Sequence, residues 1–144
     1  VEQLDVLEDL DLAGSSAPSG DAARAAVALH HAYSGIETIL LRLARELDGG
    51  EPLGPDWHQA LLDTMSLDIA GVRPAVISRS TVPDLRAMLG FRHFFRHAYS
   101  VALDPTQLAS LRLVAQRARG GLETDLDRLD VFLAGLSGTA LPDP

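Results

Sequence analysis

The sequence contains no cysteine and no lysine, and no apolar run approaches the roughly 20 residues that a bilayer-spanning helix requires. Without cysteine there is neither a disulfide framework nor a thiolate metal site, so the core must hold by packing alone, as suits a reducing compartment. The first ten residues, VEQLDVLEDL, are acidic rather than signal-like. Together these absences lead to the expectation of a cytoplasmic protein, neither secreted nor membrane-inserted. Because lysine is missing, all 12 basic residues are Arg, set against 20 Asp and Glu for a net charge of -8. An acidic chain gains nothing from bulk attraction to a polyphosphate, so nucleic acid would have to meet a local basic patch or one assembled from two subunits. Where the basic residues fall is therefore more informative than their sum. Four of the 17 Arg and His residues lie between positions 92 and 97.

What is present points to one all-α domain. A chain of 144 residues with 47% apolar content can bury a sizeable core. Leu4, Leu7 and Leu10 recur at threes and read as a short helix over residues 1–13, ended by GSSAPSG at 14–20. From Asp21, a plausible N-cap, an Ala- and Leu-rich run without proline continues to Gly49 and Gly50 and should form the spine of the domain. Pro52, Gly54 and Pro55 mark a turn, and Asp56 is expected to cap a helix running through Leu61, Leu62, Met65 and Ile69. Pro74 interrupts, VISRST reads as connector, and Pro83 sits in the first turn of a helix extending to about Ala102. Asp104-Pro105-Thr106-Gln107 has the form of a capping box opening a last helix to about Leu136, with a bend expected at Gly120-Gly121. The expectation is an antiparallel bundle of about five helices in a single domain over 1–144, with 1–20 a short N-terminal helix and loop and 137–144 a frayed tail.

On a helix turning about 100° per residue with Arg92 at zero, Tyr99 falls near about -20°, Arg96 about 40°, Ser100 about 80°, His93 about 100° and His97 about 140°. Phe91, Phe94, Phe95, Ala98, Val101 and Ala102 fall between about 180° and 300°. Over residues 91–102 this predicts a core-facing Phe stripe and an opposite face carrying Arg92, His93, Arg96, His97 and Tyr99 without a carboxylate. Those residue types suit phosphodiester chemistry: Arg supplies planar, permanently charged donors for phosphate oxygens, and His moves a proton near neutral pH.

The string GFRHFFRHAYSVALD, from Gly90 to Asp104, resembles the Arg-x4-His-x-Tyr motif of HepT-type toxins in the HEPN superfamily, with Arg92, His97 and Tyr99 at the three positions and His93 at the polar position after the Arg. Further similarity lies in YSGIETILLRLARELDG, from Tyr33 to Gly49, and in the spacing to DWHQALL at 56–62. The resemblance implies a HEPN-like helical fold and a metal-independent endoribonuclease toxin of a type VII-like toxin–antitoxin pair, acting on tRNA or mRNA without a cofactor. It implies a homodimer whose two motifs line one RNA cleft. The partner would be an MNT-type nucleotidyltransferase antitoxin that neutralises the toxin by AMPylation of the motif tyrosine, here Tyr99. Arg92 and His97 are then the catalytic pair, with His93 and Arg96 supporting them or binding RNA. A different class of function, a non-catalytic binding subunit of a nucleotidyltransferase complex, is compatible with the same fold.

Other residues read more plainly. His93 and His97 have the i,i+4 spacing of a helical metal-ligand pair, but the motif has no acidic third ligand, so no metal is assigned. His30 and His31 read as structural or surface residues, Trp57 and His58 as local packing, and Asp104 as a helix cap.

Overall fold

A computed structural model of the chain describes residues 19–97 and 104–137. Four helices form among them: α1 Ser19–Asp48, α2 Trp57–Met65, α3 Val82–His97 and α4 Pro105–Ser137. There is no strand among the described residues beyond an isolated bridge between Ile69 and Arg73. The all-α expectation holds. The count of five does not follow, because the helix expected at 1–13, the stretch from Ala98 to Ala102 and the tail lie outside the described residues.

α1 buries Ala22, Ala25, Ala26, Leu29, Ala32, Tyr33, Leu40 and Ala44, a stripe at spacings of three and four. Its alanine-rich first half lets neighbouring helices approach closely. Gly49, at φ 74°, takes the left-handed position that ends the helix after Asp48. α1 and α3 pack on each other and each also packs on α2 and α4, so they form the central pair with α2 on one side and α4 on the other.

α2 is shorter than the sequence pattern implied. It ends at Met65, and Ile69 lies instead in the turn that pairs with Arg73. Asp56 precedes the helix without a side-chain cap bond; its backbone carbonyl accepts from the amides of Gln59 and Ala60 at 3.0 and 3.1 Å. The helix stops where its last orphan carbonyl finds other donors: Met65 O accepts from the amides of Val76 and Ile77 at 2.9 and 3.1 Å.

Two buried polar residues fix the connector between α2 and α3. Arg73 donates from Nε and Nη2 to the Asp48 carboxylate at 2.6 Å each, and from Nη1 and Nη2 to the carbonyls of Leu67, Pro74 and Thr64 at 3.0, 3.1 and 3.3 Å. Every N–H of the guanidinium is thereby satisfied. Asp125, on α4, accepts from the Ser78 amide at 2.7 Å and the Thr81 hydroxyl at 2.9 Å. The first turn of α4 is capped as expected, with Asp104 Oδ1 accepting from the Thr106 amide at 2.9 Å.

α4 runs through Gly120 and Gly121 as one helix. A Cβ at Gly121 would stand 2.5 Å from Thr81 Oγ1 and 3.1 Å from Thr81 Cγ2, whereas at Gly120 it would meet nothing within 4 Å. Thr81 cannot turn away without breaking its bond to Asp125. Gly121→Ala is therefore expected to destabilise by about 1–3 kcal/mol through overpacking. Gly120→Ala should stabilise by about 0.5–1 kcal/mol through helix propensity. Urea denaturation of the two variants beside the wild type checks the opposite signs.

Candidate functional site

The apolar residues of α3 ahead of the basic hexamer decide which way that hexamer faces. Leu85, Met88 and Leu89 are fully or almost fully buried, and they lie seven, four and three residues before Arg92. Arg92 continues their stripe and is itself buried, at 9% exposure. The phase derived from residues 91–102 alone is corrected accordingly. Phe91 and Phe95 are partly buried at the margin of the core, and Phe94 is 44% exposed. Arg92 points inward, while His93, Arg96 and His97 are exposed.

Inside, Arg92 meets Glu37 of α1, which is 5% exposed. Nη2 lies 3.1 Å from Oε1 and Nη1 lies 3.3 Å from Oε2, a two-point pairing of guanidinium and carboxylate. His58, from the first turn of α2, directs Nδ1 at the same Oε2. A carboxylate only accepts, so His58 Nδ1 carries the proton and donates it. The 3.3 Å approach of Arg92 Nη1 to His58 Nδ1 is then two donors converging on one oxygen. One buried carboxylate thus joins α1, α2 and α3. The guanidinium carbon of Arg92 also lies 5.8 Å from the centroid of the Tyr33 ring, within cation–π range.

Three polar atoms of this cluster, Arg92 Nε, Tyr33 Oη and His30 Nδ1, are buried with no hydrogen-bond partner among the described residues. Burial, and the charge of Glu37 beside it, push the Tyr33 phenol well above its ordinary pKa. His30 is held below the ordinary value of 6.5 by burial, then by His31, Arg92 and Arg96, and its ring packs 5.4 Å from that of Phe95.

On the outer side, His93 sets its ring 5.2 Å from that of His58 in an edge-on contact. Partial desolvation there, together with His58 and Arg92, lowers its pKa from 6.5. His97 Nδ1 lies 2.8 Å from the His93 carbonyl. A carbonyl cannot donate, so Nδ1–H is the donor, and in the neutral ring Nε2 is left as a bare base. Arg96 has no carboxylate partner among the described residues. His93 and His97 gather no third metal ligand there either. Tyr99 lies outside the described residues.

The structure therefore brings Arg92 together with Glu37, His58 and Tyr33, which the motif did not single out, and sets His93, Arg96 and His97 on the rim above them. Reading His58 as local packing missed its bond to Glu37. Glu37 was findable: it lies four residues after Tyr33 and three before Leu40, on the stripe that α1 buries. His58 carried no such signal, since its place depends on how α2 meets α1.

The sequence model of a protein family described as HepT-like protein matches residues 24–133. No curated protein and no solved structure gives a significant match.

Removing Glu37 would leave the Arg92 charge buried and unpaired. Glu37→Ala is expected to lose about 3–5 kcal/mol of stability, most of it recovered when Arg92→Met is added. Denaturant titration of the single and double variants measures both values. A pH dependence follows from His30 and His93. Their pKa values are lowered in the folded state, so on acidification the unfolded chain binds protons first. The stability they contribute is full above about pH 6.5 and is lost as pH falls further. The denaturation midpoint should therefore drop between about pH 7.5 and 5.5, less steeply when both are changed to Gln. An unchanged slope would contradict the assignment.

Proposed function

The chain belongs to the HepT-like family, a HepT-type branch of the HEPN superfamily, and from that premise we propose that it is a metal-independent endoribonuclease toxin. Members of that superfamily are generally ribonucleases, and HepT toxins generally pair with nucleotidyltransferase antitoxins. The observation that carries the reading within this chain is His97. Its imidazole is solvent-accessible, with Nδ1 held on the His93 carbonyl and Nε2 left to move a proton.

Cleaving RNA without a metal requires taking the proton of a 2′-hydroxyl, stabilising a dianionic phosphorane and protonating the departing 5′-oxygen. His97 is the proton-transfer group at the rim. Arg92 stabilises developing charge at short range, through N–H groups that Glu37 leaves unengaged, in surroundings dry enough to strengthen each contact. Because Glu37 cancels the Arg92 charge at a distance, the first attraction of the phosphate backbone falls to Arg96 and His93. A homodimer that apposes two such rims doubles the local positive charge and lines one cleft, which reconciles RNA binding with a net charge of -8. Tyr99, two residues beyond His97, is the proposed target of AMPylation by the antitoxin. A phosphate-bearing adduct there would compete with the phosphate of the RNA.

The buried Arg92–Glu37 pair is the observation that suits the other reading, a binding subunit that does not cleave. Purified protein incubated with total cellular RNA in EDTA separates them. Cleavage leaving 2′,3′-cyclic phosphate and 5′-hydroxyl ends is expected, reduced about 10²- to 10⁴-fold by His97→Ala. Arg92→Lys should lower the rate while keeping a charge opposite Glu37. Full cleavage by His97→Ala would refute the mechanism. Co-expression with the antitoxin should add AMP mass to the peptide containing Tyr99, and Tyr99→Phe should abolish that increment.

A further inference from the structure

The contact between Glu37 and His58 is a carboxylate–imidazole pair that the mechanism above does not use. Glu37 already engages Arg92 through both carboxylate oxygens, so charge balance at that point does not require an imidazole. His58 nevertheless turns Nδ1–H onto Oε2. In that pose the carboxylate fixes the ring and leaves Nε2 as the working nitrogen, the logic by which a buried carboxylate orients histidine in other hydrolytic sites.

The surroundings hold the ring in place. The Trp57 indole lies 3.6 Å from it between ring centroids, and His93 meets it at 5.2 Å. Its side chain keeps 12% of its surface exposed. The charged and titratable groups facing it are Glu37 from α1 and Arg92 and His93 from α3. His97 stands one helical turn beyond His93, so His58, His93 and His97 follow one another from the interior of the cluster to its rim.

Resting on the ribonuclease reading, we propose that His58 is the general acid of the cleavage step, with His97 as base and Glu37 as the residue that positions His58. Nε2 of His97 takes the proton of the 2′-hydroxyl, and the 2′-oxygen forms its bond to phosphorus. The bond from phosphorus to the 5′-oxygen breaks, and that oxygen leaves with the proton carried on Nε2 of His58. The products are a 2′,3′-cyclic phosphate and a 5′-hydroxyl; His58 ends neutral and His97 protonated, and exchange with water resets both. Each chain then carries its own acid and base, and a second copy contributes the cleft wall and positive charge.

The test uses the full chain and an oligoribonucleotide spanning a cleavage site mapped on total cellular RNA. It is made in two forms, one natural and one with sulfur replacing the scissile 5′-oxygen. A thiolate leaves without being protonated, so it has no need of a general acid. His58→Asn keeps an N–H donor toward Glu37 but cannot supply the proton. It is expected to cut the natural substrate about 10²- to 10⁴-fold more slowly than wild type and the sulfur substrate at close to the wild-type rate. His97→Ala should be slow on both. Equal loss of His58→Asn on the two substrates, or no loss on either, overturns the assignment. If wild type and His58→Asn both cut natural RNA while His97→Ala does not, the ribonuclease reading stands and only the role of His58 falls. If wild type cuts neither substrate, both fall. Circular dichroism reports folding, and His58→Gln replaces His58→Asn should the latter not fold.

Discussion

A guanidinium placed on the core stripe of a helix must bring a counter-charge inside with it, and the central helix pair of this protein is arranged around that requirement. Arg92 follows Leu85, Met88 and Leu89 into the interior, and Glu37 on the facing stripe of α1 meets it with both oxygens. Either group alone would carry a desolvation penalty of several kcal/mol. Sliding α1 along α3 by one turn, about 5.4 Å, would separate them, so the pair fixes the register of the two helices. His58 brings α2 to the same oxygen. The basic motif is therefore set by the core as much as by the surface.

The fold was largely legible because it rests on local signals. Alanine and leucine spacing defined α1, Gly49 its end, and Asp104 with Pro105 the start of α4. The errors share a physical cause: each took a short window where the decisive partner lay elsewhere in the chain. Residues 91–102 alone placed Arg92 with the exposed His residues, whereas Leu85, Met88 and Leu89 would have reversed the assignment. Ile69 continued the apolar spacing of α2, but the amides of Val76 and Ile77 close that helix at Met65. His58 was beyond the reach of periodicity, because its partner is 21 positions away.

Charge illustrates the same division between local and global. The chain is acidic as a whole, yet many of its Arg residues are bound to carboxylates: Arg45 to Glu51, Arg73 to Asp48, Arg86 to Asp63, Arg117 to Asp84 and Arg119 to Glu123. Among the described residues Arg96 stands outside this pattern, beside two exposed imidazoles. No carboxylate among them cancels its positive field at contact distance, and bulk charge says little about what that rim attracts.

The connector between α2 and α3 has almost no regular structure, but it is not a loose surface loop. Arg73 anchors it to the end of α1 with every N–H engaged, Met65 accepts its amides, and Asp125 holds its far end to α4. Opening it means uncovering a guanidinium, a carboxylate and the fully buried Val76 and Ile77 together. The amides of Val76 and Ile77 are hydrogen-bonded beneath fully buried side chains, the conditions under which backbone amides exchange slowly with water. Coil here is a description of shape; thermodynamically the segment is core.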